Sequence, residues 1–324
     1  MHREVAAVAE RTRAITARYA VIFCGPVYTS VMSKILVTGA TGQQGGAVVD
    51  NLTSGEYGEW EVYGLTRDAG SAGTGALADR SVTVVEGDLT DAERMAECCT
   101  GMDGVFLVTT FFEDGADVER SQGETMATAA AEAGVGHLVF SSVGGADRDT
   151  GLAHFESKYG IERHIAGLDI DATVVRPVFF MQNFDRNSTD DVRSGRLPMP
   201  LAPGVTLQLV DAGDIGRVAA MAFADPERFA GETIELAGDA RTLDGMADAF
   251  AAHLGIDVES VHVDVADYRA VAGDELADMF EWFNAVGYDA DIGDLSARYG
   301  IEPVDLPTYL GASDHWRPTP TAAR

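Results

Sequence analysis

From Lys34 onward, short apolar runs alternate with longer amphipathic stretches. The runs cover 34–38, 61–66, 82–86, 105–108, 137–141 and 173–176, and the intervening stretches at helical spacing cover 45–52, 91–99, 118–133 and 155–166. Runs this short and rich in β-branched residues, separated by helices, predict parallel strands buried on both faces. The fold class is therefore α/β, a doubly wound parallel sheet whose ligands sit at the carboxyl ends of the strands. Past Pro177 the alternation loosens. Segment 187–204 is polar and rich in Pro and Gly, 205–210 and 232–237 predict further strands, and 214–223 and 242–254 predict helices, the second with Thr242 as a possible N-cap. The remainder is helical and aromatic through Tyr309, which predicts a smaller, mostly helical C-terminal lobe closing over the sheet, with a loose tail from 315 to 324.

Composition changes this picture at the surface and at the ends. Apolar residues make up 46% of 324, enough for a sizeable core, yet the formal net charge is −29. Lys34 and Lys158 are the only lysines. A field this negative argues against direct nucleic-acid binding and against anionic membranes, because both need clustered cations. Acid-rich, lysine-poor surfaces suit a halophilic setting, where salt screens charge and carboxylate hydration maintains solubility. Residues 1–33 carry a net +2, leaving −31 on the other 291. The segment is read as an N-terminal extension outside the fold, with Met32 as the expected start; its apolar part is too short to span a bilayer. Cys24, Cys98 and Cys99 offer no ordinary disulfide framework and no zinc site, and the compartment reads as reducing and cytoplasmic.

The first run ends in Gly39-Ala40-Thr41-Gly42-Gln43-Gln44-Gly45-Gly46. Glycines at 39, 42 and 45 leave a strand and open a helix: the first for the tight turn, the second for backbone approach to a pyrophosphate, the third for close helix–strand packing. The second run ends Leu65-Thr66-Arg67, where a carboxylate would bind the ribose 2′-OH of NAD and an Arg accommodates a 2′-phosphate. Arg67 thus points to NADP(H) over NAD(H), unless it is an ordinary surface Arg; Asp68 beside it opposes a phosphate. Asp88 either accepts from an adenine amino group or caps the helix beginning near Thr90.

These segments, with His154-Phe155-Glu156-Ser157-Lys158 and the stretch from Val174 to Phe184, resemble the NmrA-like family, atypical relatives of the short-chain dehydrogenases that include regulators, NADPH sensors and quinone reductases. The resemblance covers roughly 34–310. It implies a NAD(P)-binding Rossmann domain over 34–184 and a smaller substrate or closing lobe over 185–324, with strands returning to the main sheet. It further implies that Gly39, Ala40, Thr41, Gly42, Gln43, Gln44 and Gly45 hold the dinucleotide, with Arg67 on the 2′-phosphate and Asp88 and Leu89 at the adenine. Thr109, Thr110 and Lys158 would lie on the ribose side, and Phe180, Met181, Gln182 and Asn183 would close over the nicotinamide.

Short-chain dehydrogenases use Tyr-x-x-x-Lys, with the Tyr as acid. Here His154 stands four residues before Lys158, so the usual acid is absent. His154 has an ordinary pKa near 6.5 and either transfers a proton or caps and packs. Ser141 and Ser142 either orient substrate or finish the fifth strand. Phe111, Phe112, Trp282, Phe283 and Tyr288 are pocket wall or plain core, and the other His residues show no metal-ligand grouping. Two functions remain open: an NADPH-dependent reductase of quinones or small carbonyl compounds, or a redox sensor that presents a changed surface to a regulatory protein partner. A quinone accepts hydride directly and can take its proton from water, which lessens the need for the Tyr. Oligomeric state is not legible.

Overall fold

A computed structural model describes residues 33–318; the expectations for residues 1–32 and for the last six residues fall outside them. Each of the six early apolar runs is a strand: β1 (Ser33–Val37), β2 (Trp60–Thr66), β3 (Thr83–Glu86), β4 (Gly104–Val108), β5 (His137–Ser141) and β6 (Ala172–Pro177). Ser33, assigned by sequence to the extension, begins β1. A later strand, β10 (Thr233–Leu236), joins them in a seven-stranded parallel sheet of order β10-β6-β5-β4-β1-β2-β3. The order reverses between β1 and β4, the point at which such sheets bind ligands.

Alternate side chains of these strands leave on opposite faces, and both faces are buried. Ile35, Val37, Phe106 and Val139 pack on one side, Leu36, Val105, Leu107 and Phe140 on the other. Five helices follow the strands: α1 (Gln43–Thr53), α2 (Ala72–Ala78), α3 (Ala92–Cys99), α4 (Ala116–Glu132) and α5 (Ala153–Ile165). The first face is covered jointly by α1 and by α7 (Ala212–Ala224), which follows the short α6 (Gln182–Asn187). α7 lies so close to α1 that a Cβ on Gly216 would stand 2.3 Å from the carbonyl oxygen of Ala47. β10 and α7, from beyond the expected boundary at 184, belong to the layers of the main sheet, β10 as a strand that returns to it.

The remaining C-terminal residues build a second core around Phe184, Leu209, Phe250, Phe283 and Trp316. Two small sheets frame it. β9 (Thr206–Val210) pairs with β7 (Phe179–Phe180) and β11 (Asp239–Thr242), and β8 (Arg196–Met199) pairs with β12 (Glu259–His262). Strand β8 lies in the segment that reads as polar loop, because only two of its four residues, Leu197 and Met199, are buried. Helices α8 (Leu243–Leu254), α9 (Val265–Ala272), α10 (Asp274–Ala285) and α11 (Leu306–Ala312) complete the lobe. The tail is not loose at its start: Trp316 is fully buried, and its indole N–H donates to Asp185 at 2.6 Å. No helix among the described residues is long and apolar enough to cross a membrane.

One buried carboxylate carries a pH signature. Asp214, in the first turn of α7, is fully buried; its Oδ2 accepts from Val304 N at 2.7 Å, while Arg217 Nη1 lies 3.1 Å from Oδ1 without hydrogen-bond geometry. Burial pushes its pKa up to about 6, against those two favourable partners. A carboxyl with a raised folded-state pKa favours the fold while protonated, and that contribution is lost as pH rises from about 4 to about 6. Asp214→Asn is expected to gain stability relative to the native protein across that window, by on the order of 3 kcal/mol. Thermal melts of both proteins at pH 4 to 7 measure it; a difference that does not change with pH would show that Asp214 stays ionised.

Candidate functional site

The carboxyl edge of the main sheet opens into a cleft of about 1750 Å³. Its floor is the switch point, where Thr38 ties the diverging ends of β1 and β4 together: its hydroxyl donates to Val108 O at 3.0 Å and accepts from Val108 N at 2.8 Å. The chain then turns at Gly39, whose φ of +59° lies in the left-handed region that favours glycine. Gly42 N closes the turn on Gly39 O at 2.8 Å. At Gly45 a Cβ would stand 2.3 Å from Gly39 O and 2.6 Å from Thr38 O, so only glycine lets α1 lie this close to the strand end.

The N-terminus of α1 faces the cleft uncapped. Gly42 offers no side-chain cap, and no acid occupies the first turn, although α3 and α4 both carry carboxylates there. Unpaired N–H groups and the helix dipole are thus presented to the cleft with no carboxylate in competition, which suits a pyrophosphate. The residues present fit a dinucleotide at this end.

Beside the turn stand Arg67, Asp68, Asp88 and Leu89, all lining the cleft. Asp88 accepts from both the backbone N–H and the hydroxyl of Thr90 at 2.8 and 2.7 Å, which holds its carboxyl below the usual range. The helix that follows is capped by Asp91 instead, so the capping alternative for Asp88 does not hold. Arg67 is engaged by Glu113 in a two-pronged ion pair, Nη1 to Oε2 at 2.5 Å and Nη2 to Oε1 at 3.0 Å.

Deeper in the cleft, Lys158 is one helical turn past His154 on α5 and is largely buried. Its ammonium donates to Thr109 O at 2.8 Å and Thr109 Oγ1 at 3.0 Å and pairs with Glu119 Oε1 at 3.1 Å. Ser141 O lies at the limit of reach, 3.5 Å. Glu119, fully buried on α4, also accepts from Thr109 Oγ1 and Ser157 Oγ. One more carboxylate in so acidic a chain is not singular in sequence; only folding shows that this one neutralises the buried lysine. Ser141 donates to Gln44 Oε1 at 2.5 Å and Ser142 to Glu162, so both hydroxyl protons are already placed.

His154 lies where α5 meets the C-terminal lobe. Glu275, from the first turn of α10, accepts from His154 N at 3.0 Å and from Nδ1. The imidazole stacks on Phe111 at 4.5 Å between ring centres. Nε2 has no partner among the described residues, and His154 lines the cleft. Burial lowers its pKa, with Glu275 opposing that shift, so the neutral imidazole predominates near neutral pH.

Past His154 the cleft continues into a chamber walled by Phe111, Phe179, Met199, Phe280, Phe283 and Tyr288. Phe112, Thr110, Phe180 and Asn183 line the cleft too, whereas Trp282 stands behind it against Phe155 and Tyr288. Three other expected residues do not line it. Ala40 is fully buried under Gly64, Met181 is fully buried in the second core, and Gln182 turns away to bond Asp211 Oδ1 at 2.5 Å and Ala212 N at 3.1 Å.

Residues 32–314 match the model of the NmrA-like family. The chain belongs to that family. Among its relatives is an NmrA-like family domain-containing protein of Dictyostelium discoideum, 26% identical over 83% of this chain and 93% of the relative. The fold is shared with the Citrobacter triphenylmethane reductase crystallised with NADP(H), at a TM-score of 0.72 and 22% identity over 86% of this chain and all of that one. It is shared also with the NADPH-dependent quinone oxidoreductase of Escherichia coli crystallised with NADPH, at a TM-score of 0.73 and 24% identity over 84% of this chain and 97% of that one. The chain thus has the NmrA-like fold, which it shares with these two reductases.

Proposed function

We propose that this NmrA-like chain is an NADPH-dependent reductase of bulky aromatic acceptors such as quinones. One observation carries the reading. The cleft does not end beside Lys158 but runs on into the aromatic chamber, and about 1750 Å³ exceeds the roughly 300–1,000 Å³ that one small ligand fills. A purely sensing role gives the chamber no purpose, whereas a second, apolar reactant does.

Bound NADPH would supply a hydride. The uncapped start of α1 would hold its pyrophosphate, Arg67 its 2′-phosphate, and Thr109 with Lys158 its nicotinamide ribose. Stacked aromatic walls would bind and orient a flat acceptor and exclude water from the reacting face. Reduction of a quinone by one hydride also consumes one proton. His154 in its imidazolium form would give it: with Nδ1 held by Glu275, the proton on Nε2 is the one transferred, and solvent restores it after each turnover.

The test is NADPH oxidation measured against quinones, triarylmethane and azo dyes, and small aliphatic aldehydes, with NADPH affinity measured separately. Turnover of the aromatic acceptors with little on the aldehydes is the expected result. Tight NADPH binding with no turnover of any acceptor would refute the reductase and leave the sensor.

A further inference from the structure

Arg67 does not wait with an open fork. Glu113, from the loop after β4, fills both prongs of its guanidinium, while each side chain remains about half exposed, at 59% and 50%. The pair depresses the carboxyl of Glu113 below its ordinary range, so Glu113 is ionised at any pH near neutrality. Carboxylate and phosphate present the same two-oxygen face to a guanidinium, and a side chain seated this way occupies the place a 2′-phosphate needs. Asp68, Asp88 and Asp114 line the same end of the cleft. Arg67 is therefore one cation among four carboxylates, and a dianionic phosphate arriving there meets net negative charge.

We propose that Glu113 is an internal competitor for the 2′-phosphate of NADP(H), and that it makes the preference for NADP(H) over NAD(H) rise with ionic strength. The inference rests on the dinucleotide reading above. Its sign is unusual. An isolated arginine–phosphate contact weakens as salt is added, because screening removes an attraction. Here screening acts mainly on the Glu113–Arg67 pair and on repulsion from the surrounding carboxylates, so the seat opens to phosphate as salt increases. NAD(H) lacks the 2′-phosphate but shares the rest of the molecule. The ratio of the two affinities therefore isolates this corner of the cleft from the pyrophosphate site at α1.

Calorimetric titration of NADP+ and NAD+ into the full chain at about 0.1 M and about 1 M KCl tests it, since the Debye length falls from about 10 Å to about 3 Å between them. Glu113→Ala removes the competitor and Glu113→Gln removes its charge alone; both positions of the pair are exposed, so neither change strains the fold. In the native protein the NADP+/NAD+ affinity ratio is expected to rise with salt. Glu113→Ala should raise the ratio about five-fold at low salt, the worth of an exposed ion pair, and flatten its salt dependence. Glu113→Gln should do the same to a smaller degree, and Arg67→Ala should lower the ratio and remove its response to salt. A native ratio that falls with salt would overturn the proposal. So would an unchanged ratio in Glu113→Ala while Arg67→Ala still lowers it, a result that leaves Arg67 as the phosphate ligand. Failure of both dinucleotides to bind would overturn this proposal and the cofactor reading together.

Discussion

Gly45→Ala is expected to weaken dinucleotide binding by about 10²-fold, while Gly46→Ala one residue later is expected to leave it nearly untouched. At Gly45 the added carbon would sit 2.3 Å from Gly39 O, 2.5 Å from Gly39 C and 2.6 Å from Thr38 O. All three are backbone atoms of the turn itself and cannot rotate away. α1 would have to lift off the strand end, at a packing cost of about 1–3 kcal/mol or more, and its N-terminal N–H groups would move with it. A displacement near 1 Å in a positioning element can cost about 10²-fold, and an affinity loss of that order is expected. At Gly46 the nearest atom to an added carbon is Ala40 O at 3.7 Å, ordinary contact, and alanine inside α1 should stabilise it by about 0.5–1 kcal/mol. Calorimetric affinity and melting temperature of the two variants decide the matter. Equal binding by both would mean that the approach of α1 to the turn does not build the site.

His154→Asn is expected to lower kcat for quinone reduction by about 10²-fold, the low end for a positioned general acid, because a quinone oxygen can also draw a proton from water. Asparagine retains an N–H near the Nδ1 position, so the bond to Glu275 and the junction of α5 with α10 survive while Nε2 is lost. The pH dependence gives the sign. Burial lowers the folded pKa of His154, so the imidazolium that donates the proton is already scarce at neutral pH. The native rate should fall as pH rises from mildly acidic values, and the fall should be absent in His154→Asn. NADPH affinity should be unchanged, since no expected cofactor contact passes through this ring. A variant with native kcat and the native pH profile would reduce His154 to a packing residue.

Much of the architecture is carried by local patterns. The six early strands are legible because a strand buried on both faces has no room for polar alternation, so its signal is concentrated in a few contiguous residues. The glycine turn is legible because its requirements are steric and local: a positive φ at Gly39 and no side chain at Gly45. The short strands β7, β8, β11 and β12 are not, since each is two to four residues long and exists only through its partner. The burial of Trp316 likewise depends on Asp185, 131 positions away.

The candidate site divides along the same line. Lys158 stands out as one of two lysines, and His154 by its spacing from it, but their partners carry no local mark. Glu119 lies 39 residues from Lys158, Glu275 lies 121 from His154, and Glu113 lies 46 from Arg67. In a chain with 52 acidic residues, none of the three differs from its neighbours until the chain folds. By itself the sequence determined a doubly wound sheet, a glycine turn that opens a helix, and the few cations beside it, because these follow from sterics and spacing within a few residues. Only tertiary structure decided which carboxylates meet those cations and where the cleft continues, because charge pairing and aromatic walls depend on through-space distances that contacts between distant segments set.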